Sequence, residues 1–194
     1  MIDPQYYSEI IQTLCGLDEA GRGPIAGPLV VAGVILPKDH AIQGLFDSKQ
    51  LSLKKREMLF PLIQDEALAY EIKIIDETTI DTLNIYRATQ EAMTEIALTL
   101  GADYTLTDAM PLLVPLPHQA IVKGDTLSDS IAAASILAKV TRDAWMKDQA
   151  KRYPSYGFDQ HKGYPTPGHI EALKTHGITP IHRKSFQPVK DMLN

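Results

Sequence analysis

Two adjacent acids, Asp18 and Glu19, close an apolar run near the start of the chain, and no other feature restricts the fold as much. Thr13-Leu14-Cys15-Gly16-Leu17 precedes them, and Ala20-Gly21-Arg22-Gly23-Pro24 follows. A second apolar run extends from Leu29 to Leu36. The pattern reads as strand, turn and strand. Successive strand residues face opposite sides. Both carboxylates therefore reach one site only if the chain bends at Glu19, a bend the neighbouring glycines allow. Crowded carboxylates repel unless a cation neutralises them. Hard cations such as Mg²⁺ take oxygen ligands and keep water or phosphate as partners. The pair alone leaves two readings open, a metal site that meets a phosphate and a solvated loop mouth. A dinucleotide-binding turn fits poorly. The third glycine is Gly27 rather than residue 26, Pro24 stiffens the loop, and a strand follows where a helix is needed.

A chain of 194 residues suits one domain with a sizeable core, here residues 1–194 with a helical extension from about 153. No run approaches the roughly 20 apolar residues of a membrane span. The first residues lack the basic start of a secretory signal. Cys15 is the sole cysteine, which excludes an internal disulfide, points to the cytoplasm and reads as a small buried hydrophobe. The formal net charge of -5 argues against a uniformly cationic coat. Its distribution is uneven. From Lys139 onward there are ten Lys/Arg against five Asp/Glu, and before it nine against nineteen. An acidic centre facing a basic surface that follows a phosphate backbone fits this asymmetry, as does a well-solvated C-terminal helix.

Ser52 is placed to cap a helix from Leu53 to about Glu66, with Pro61 marking a kink or an early end. Ala67 to Ile75 alternates and predicts a strand. Asp76 to Leu100 carries helical periodicity and stops at Gly101. Short strands are expected at 103–107, ending at Asp108, and at 119–123, followed by Gly124-Asp125. A long helix runs from Ser128 to about Arg152, with small residues that allow close backbone approach. Residues 153–168 read as loop, and a short helix spans 167–176. The order predicts an α/β fold with a mixed five-stranded sheet flanked by helices.

Asp18, Glu19, Asp108 and Asp125 thus fall at the C-terminal ends of predicted strands, the edge where open α/β sheets bind ligands. Singly, Asp108 or Asp125 reads as a loop cap. Together, four acids match a site for two ions about 3.5–4 Å apart that clamp a phosphodiester.

The chain resembles the type 2 ribonucleases H of bacteria, the ribonuclease HII family. The resemblance rests on Gly16-Leu17-Asp18-Glu19-Ala20-Gly21-Arg22-Gly23-Pro24, Asp47-Ser48-Lys49, Thr107-Asp108-Ala109 and Lys123-Gly124-Asp125. It continues in Ile131 to Asp143, His161-Lys162-Gly163-Tyr164-Pro165-Thr166 and His182-Arg183-Lys184-Ser185-Phe186. It implies a ribonuclease H-like fold and endonucleolytic cleavage of RNA paired to DNA. It further implies nicking on the 5′ side of single ribonucleotides in duplex DNA, leaving 3′-hydroxyl and 5′-phosphate ends. By position, Asp18, Glu19, Asp108 and Asp125 are then the catalytic acids that bind Mg²⁺ or Mn²⁺. Gly21, Arg22 and Gly23 are implied to read the 2′-hydroxyl through backbone groups, and Tyr164 to pack on the sugar. Lys49, Lys123, Ser135, Lys139 and Arg142 are candidate phosphate contacts. His161, His169 and His182 have no metal-ligand spacing and read equally as phosphate neighbours or surface histidines. The expected partners are RNA–DNA hybrids and ribonucleotide-containing duplexes, bound by a monomer with no membrane contact. Gln50 replaces a frequent family lysine, and Thr107 a commoner valine. Another nuclease on the same fold, or a silent nucleic-acid binder, remains the alternative.

Overall fold

The computed structural model describes residues 1–45 and 51–193. Strand β1 (Leu14–Ala20) lies at the middle of a sheet with β2 (Leu29–Ile35), β3 (Ala69–Ile75), β4 (Tyr104–Asp108) and β5 (His118–Ile121). The strand order is β3-β2-β1-β4-β5. The β1–β2 and β2–β3 pairs are antiparallel, while β1–β4 and β4–β5 are parallel. This is the mixed five-stranded α/β sheet that the sequence predicts.

The parallel half sets the site. Leu17 pairs with Thr107, so Asp18 and Asp108 leave neighbouring strands at the same level. Such strands lie about 4.8 Å apart. Asp108 in turn pairs with Ile121 at the end of β5.

Helix α4 (Asp129–Arg152) covers one face of the sheet and α3 (Ile85–Leu100) the other. On the α4 side, Val30, Ala32 and Val34 meet Ala133, Ile136 and Leu137, with Leu59 and Ile63 of α1 (Leu53–Glu66) closing the edge. On the α3 side, Cys15, Leu17, Val31 and Ile35 meet Met93 and Ile96. Burial pushes the Cys15 thiol up to about 12, so it behaves as a hydrophobe. Gly16 lets β1 touch the start of α4, because a Cβ there would overlap the Ser130 carbonyl carbon and the Ile131 nitrogen. A third cluster joins α4 to the C-terminal segment. Met146 packs with Tyr156, with Phe158 of α5 (Phe158–His161), with Leu173 of α6 (Pro167–His176), and with Ile181.

Local chemistry explains both the agreements and the departures. Ser52 caps α1, its hydroxyl accepting the Lys55 N–H at 3.3 Å, and the helix runs through Pro61 to Glu66. The helix expected from 76 to 100 is instead two, α2 (Glu77–Leu83) and α3. Asn84 breaks it with a φ of 67°, and its side chain caps α3 by accepting the Arg87 N–H. Asparagine tolerates positive φ and competes for backbone donors, so hydrophobic periodicity alone misses such a break. Strand β5 stops at Ile121 rather than 123, because Lys123 adopts a left-handed conformation. The expected loop at 153–168 holds a 3-10 turn, Pro154–Tyr156, and α5. On edge strand β3 the alternation is present, yet Tyr70 and Ile74, on the α4 side of the sheet but at its edge beyond that helix, are exposed.

Gly16→Ala is expected to destabilise the fold by about 3 kcal/mol, since backbone on both sides resists the added methyl. A lowered urea midpoint with an unchanged m-value checks this, and an unchanged midpoint would mean that β1 and α4 can part at no cost.

Candidate active site

At the C-terminal ends of β1 and β4 lies an open cleft of about 400 Å³. Its walls bring together Asp18, Glu19, Gly21, Arg22, Gly23, Asp108, Ser135, Lys139 and Tyr164, from four separate parts of the chain. Arg56 of α1 also lines it, a residue that the sequence motifs do not mark.

Asp18 is the buried heart of the cleft, 2% exposed. Its Oδ1 accepts the Glu19 N–H at 2.7 Å, while Oδ2 is buried and takes no well-formed hydrogen bond among the described residues. Burial raises its pKa well above the usual carboxylate range, and the negative charges of Glu19 and Asp108 raise it further. The Ser135 hydroxyl and the Glu19 N–H pull partly the other way. Glu19 does not need the bend expected of it. It is still paired with Val31 inside β1, and the chain turns only at Gly21, whose φ is +104°. Both acids reach the cleft because it opens where the strand ends.

Asp108 anchors the next element: its Oδ1 accepts the Gly124 N–H at 2.9 Å. Asp125 follows on the buried 3-10 turn Gly124–Thr126, four residues beyond β5 rather than at its tip. The donor set is made of hard carboxylate oxygens, and the buried Asp18 Oδ2 takes no well-formed hydrogen bond among the described residues, which fits a divalent cation. Among the described residues no three His, Cys, Asp or Glu side chains stand close enough to enclose an ion. Asp18, Glu19 and Asp108 share the open cleft, and Asp125 is not among its lining residues.

Two expected phosphate contacts lie elsewhere. Arg142 is buried at 1% exposure and does not face the cleft. Its guanidinium donates to the carbonyls of Pro28 (2.9 Å), Lys162 (2.9 Å) and Ala26 (3.1 Å), tying the segment after the Gly-Arg-Gly turn to the one carrying Tyr164. Lys123 is exposed on the turn before Asp125, outside the cleft wall. Lys139 lines the cleft and pairs with Asp143 at 2.8 Å. Lys49 falls outside the described residues. The Tyr164 ring lies over Gly23, 3.4 Å from where a Cβ would stand.

His169 and His182 are not surface residues. Both are buried, and their Nε2 atoms lie 3.0 Å apart. Their partners assign the protons. His169 Nδ1–H donates to the Tyr164 carbonyl at 2.9 Å, leaving its Nε2 as acceptor. His182 Nδ1 accepts the Thr179 N–H, so its Nε2–H donates to His169. The His161 ring stacks on His169, with centroids 4.3 Å apart. A second proton would set two donors face to face, and burial pushes both His169 and His182 down to about 4. Residue spacing carries no sign of this, because the contact joins α6 to the following loop.

The mixed sheet, its flanking helices and the acids gathered at one edge are the arrangement of the ribonuclease H-like fold. A family model described as Ribonuclease HII matches residues 15–189. The ribonuclease HII of Geobacillus kaustophilus is 51% identical over 191 residues, spanning 97% of this chain and 74% of the relative. The ribonuclease HII of Archaeoglobus fulgidus, solved in complex with PCNA, is 29% identical with a TM-score of 0.79, over 90% of this chain and 95% of that one. The ribonuclease H2 of Pyrococcus horikoshii OT3 is 27% identical with a TM-score of 0.76, over 93% and 96%. The chain belongs to the ribonuclease HII family, hydrolytic enzymes of the ribonuclease H class.

In the unfolded chain His169 and His182 protonate near pH 6.5. Between that value and about 4 the unfolded state binds more protons than the folded one. The stability contributed by the neutral pair is therefore complete above about pH 6.5 and is lost as pH falls through this window, by a few kcal/mol in total. Urea titrations from pH 7 to 4 should show it, with a slope about one proton shallower in His169→Gln. An equal slope in both proteins would contradict the assignment.

Proposed function

We propose that the protein is an endoribonuclease that cleaves the RNA strand of RNA–DNA hybrids. In the same reading it nicks 5′ of single ribonucleotides in duplex DNA, leaving 3′-hydroxyl and 5′-phosphate ends. The observation that carries this is the placement of buried Asp18, with Glu19 and Asp108, beside the Gly-Arg-Gly turn in one open cleft. Acids that cost stability when assembled need a compensating cation and a use, and perturbed carboxylates in a cleft mark functional sites.

Asp18, Glu19, Asp108 and Asp125 would hold Mg²⁺ or Mn²⁺, two ions during hydrolysis. Such ions, when bound, lower the pKa of water and offset charge on the phosphodiester. The remaining work falls to the chain. The Ser135 hydroxyl steadies Asp18, whose Oδ1 is already fixed by the Glu19 amide. Gly21, Arg22 and Gly23 bring backbone close to the sugar, where the 2′-hydroxyl separates RNA from DNA. The Tyr164 ring, 43% exposed over Gly23, offers a flat apolar surface to that sugar. Arg56 and Lys139 stand on the cleft wall, in reach of a phosphate entering it. Lys123, exposed beside Asp125, meets the backbone further out.

Asp18→Asn should abolish cleavage of a hybrid, at least about a thousandfold, because the acid is tied to the reaction rather than to the fold. Removing a charge that is buried beside two others should leave the unfolding free energy unchanged or raise it by about 1 kcal/mol. Cleavage rates and urea unfolding on the same samples test this, and loss of stability with retained activity would make Asp18 structural. Tyr164→Ala should slow cleavage at a single ribonucleotide about tenfold or more while the thermal midpoint holds. An unchanged rate would remove Tyr164 from the site.

A further inference from the structure

Arg183 is fully buried, and its guanidinium is spent on one short stretch of backbone. Nη2 donates to the Gly21 carbonyl at 2.6 Å, Nη1 to that of Arg22 at 3.2 Å, and Nε to that of Gly27 at 2.9 Å. The Arg183 N–H adds a bond to the Ile25 carbonyl at 2.9 Å. The guanidinium rests on the Phe186 ring, 5.0 Å from its centroid. Burying this cation is costly, as burial and the nearby Arg142 charge both depress its pKa, with Glu77 and Asp81 in partial compensation.

The geometry of the turn says what that cost obtains. Across a trans peptide the carbonyl and the next N–H point to opposite sides. Drawing the Gly21 and Arg22 carbonyls onto buried Arg183 turns the N–H groups of Arg22 and Gly23 the other way, toward the cleft. Arg22 and Gly23 are exposed there, and Gly21 supplies the positive φ that the turn requires.

We propose that Arg183 is a positioning residue for ribonucleotide recognition, holding the Arg22 and Gly23 amides in line as donors to the 2′-hydroxyl of the substrate. The proposal rests on the reading above that this turn meets the 2′-hydroxyl. A lysine, a point donor, cannot span three carbonyls that a planar fork can.

The test compares wild type with Arg183→Lys and, as a milder change that keeps the guanidinium, Phe186→Leu. Three quantities are read: kcat and KM on a duplex with one ribonucleotide, affinity for that duplex relative to an all-DNA duplex, and the thermal midpoint. Arg183→Lys should lower kcat/KM about 10–100-fold, the scale of loss from small misplacements in a site. The preference for the ribonucleotide duplex should fall toward one, with all-DNA affinity unchanged. Phe186→Leu should move the same quantities by a smaller factor. A lowered midpoint with the preference intact would make Arg183 a core residue only and overturn the proposal. If Arg183→Lys does not fold, an unchanged preference in Phe186→Leu overturns it. Wild type with no ribonucleotide preference would overturn the functional reading and this proposal together, whereas wild-type preference retained in both variants overturns this proposal alone.

Discussion

Asp18 pays an electrostatic penalty that shapes everything around it. Its carboxylate is buried, and Glu19 and Asp108 push its pKa further up. The sheet makes this crowding unavoidable, because the parallel register of β1 with β4 sets Asp18 level with Asp108. An apolar residue at this position would relieve the repulsion, at the expense of the oxygen ligands that a divalent cation needs. The tension is the sort that functional sites carry and the rest of a fold offsets. Here the offset comes from the apolar layers on both faces of the sheet and from Gly16, which seats β1 against α4.

The wall opposite the acids is organised by buried cations and imidazoles rather than by a hydrophobic core alone. Arg142 and Arg183 gather the carbonyls of residues 21–28, and Arg142 extends the tie to Lys162. The Ile25 N–H donates to the Gly163 carbonyl, and the Gly27 N–H to that of Ile181. His169 holds the Tyr164 carbonyl, and His182 holds His169. The C-terminal segment is thus a brace for the turn and for Tyr164. Two of the basic residues that accumulate late in the sequence, Arg142 and Arg183, thus face inward. Charge counting reads them as a surface; hydrogen-bond accounting reads them as carbonyl clamps.

Much of the fold was legible because local signals agreed with the tertiary result. Ser52 caps where expected, Pro167–His176 is the predicted helix, and five strands follow one another along the chain as predicted. The acids Asp18, Glu19 and Asp108 could be grouped from the sequence because strand ends share an edge. The failures have a common origin. Asn84 splits a helix through its own side chain, and Lys123 ends β5 through a left-handed backbone, both invisible to apolar periodicity. Arg142 looked like a phosphate contact because helical spacing gives the face of a residue and not its depth. The histidine pair and Arg183 depend on contacts over 13 and about 160 residues, which no local pattern encodes.

The proposed function has a metal-dependent acidic cleft working beside a turn that senses a single 2′-hydroxyl. The most direct measurement is cleavage of a DNA duplex containing one ribonucleotide beside an otherwise identical all-DNA duplex, each with Mg²⁺, Mn²⁺ or EDTA. The predicted result is one nick on the 5′ side of the ribonucleotide, present with either metal, abolished by EDTA and absent from the all-DNA duplex. Nicking of both duplexes, or of the ribonucleotide duplex in EDTA, would contradict it.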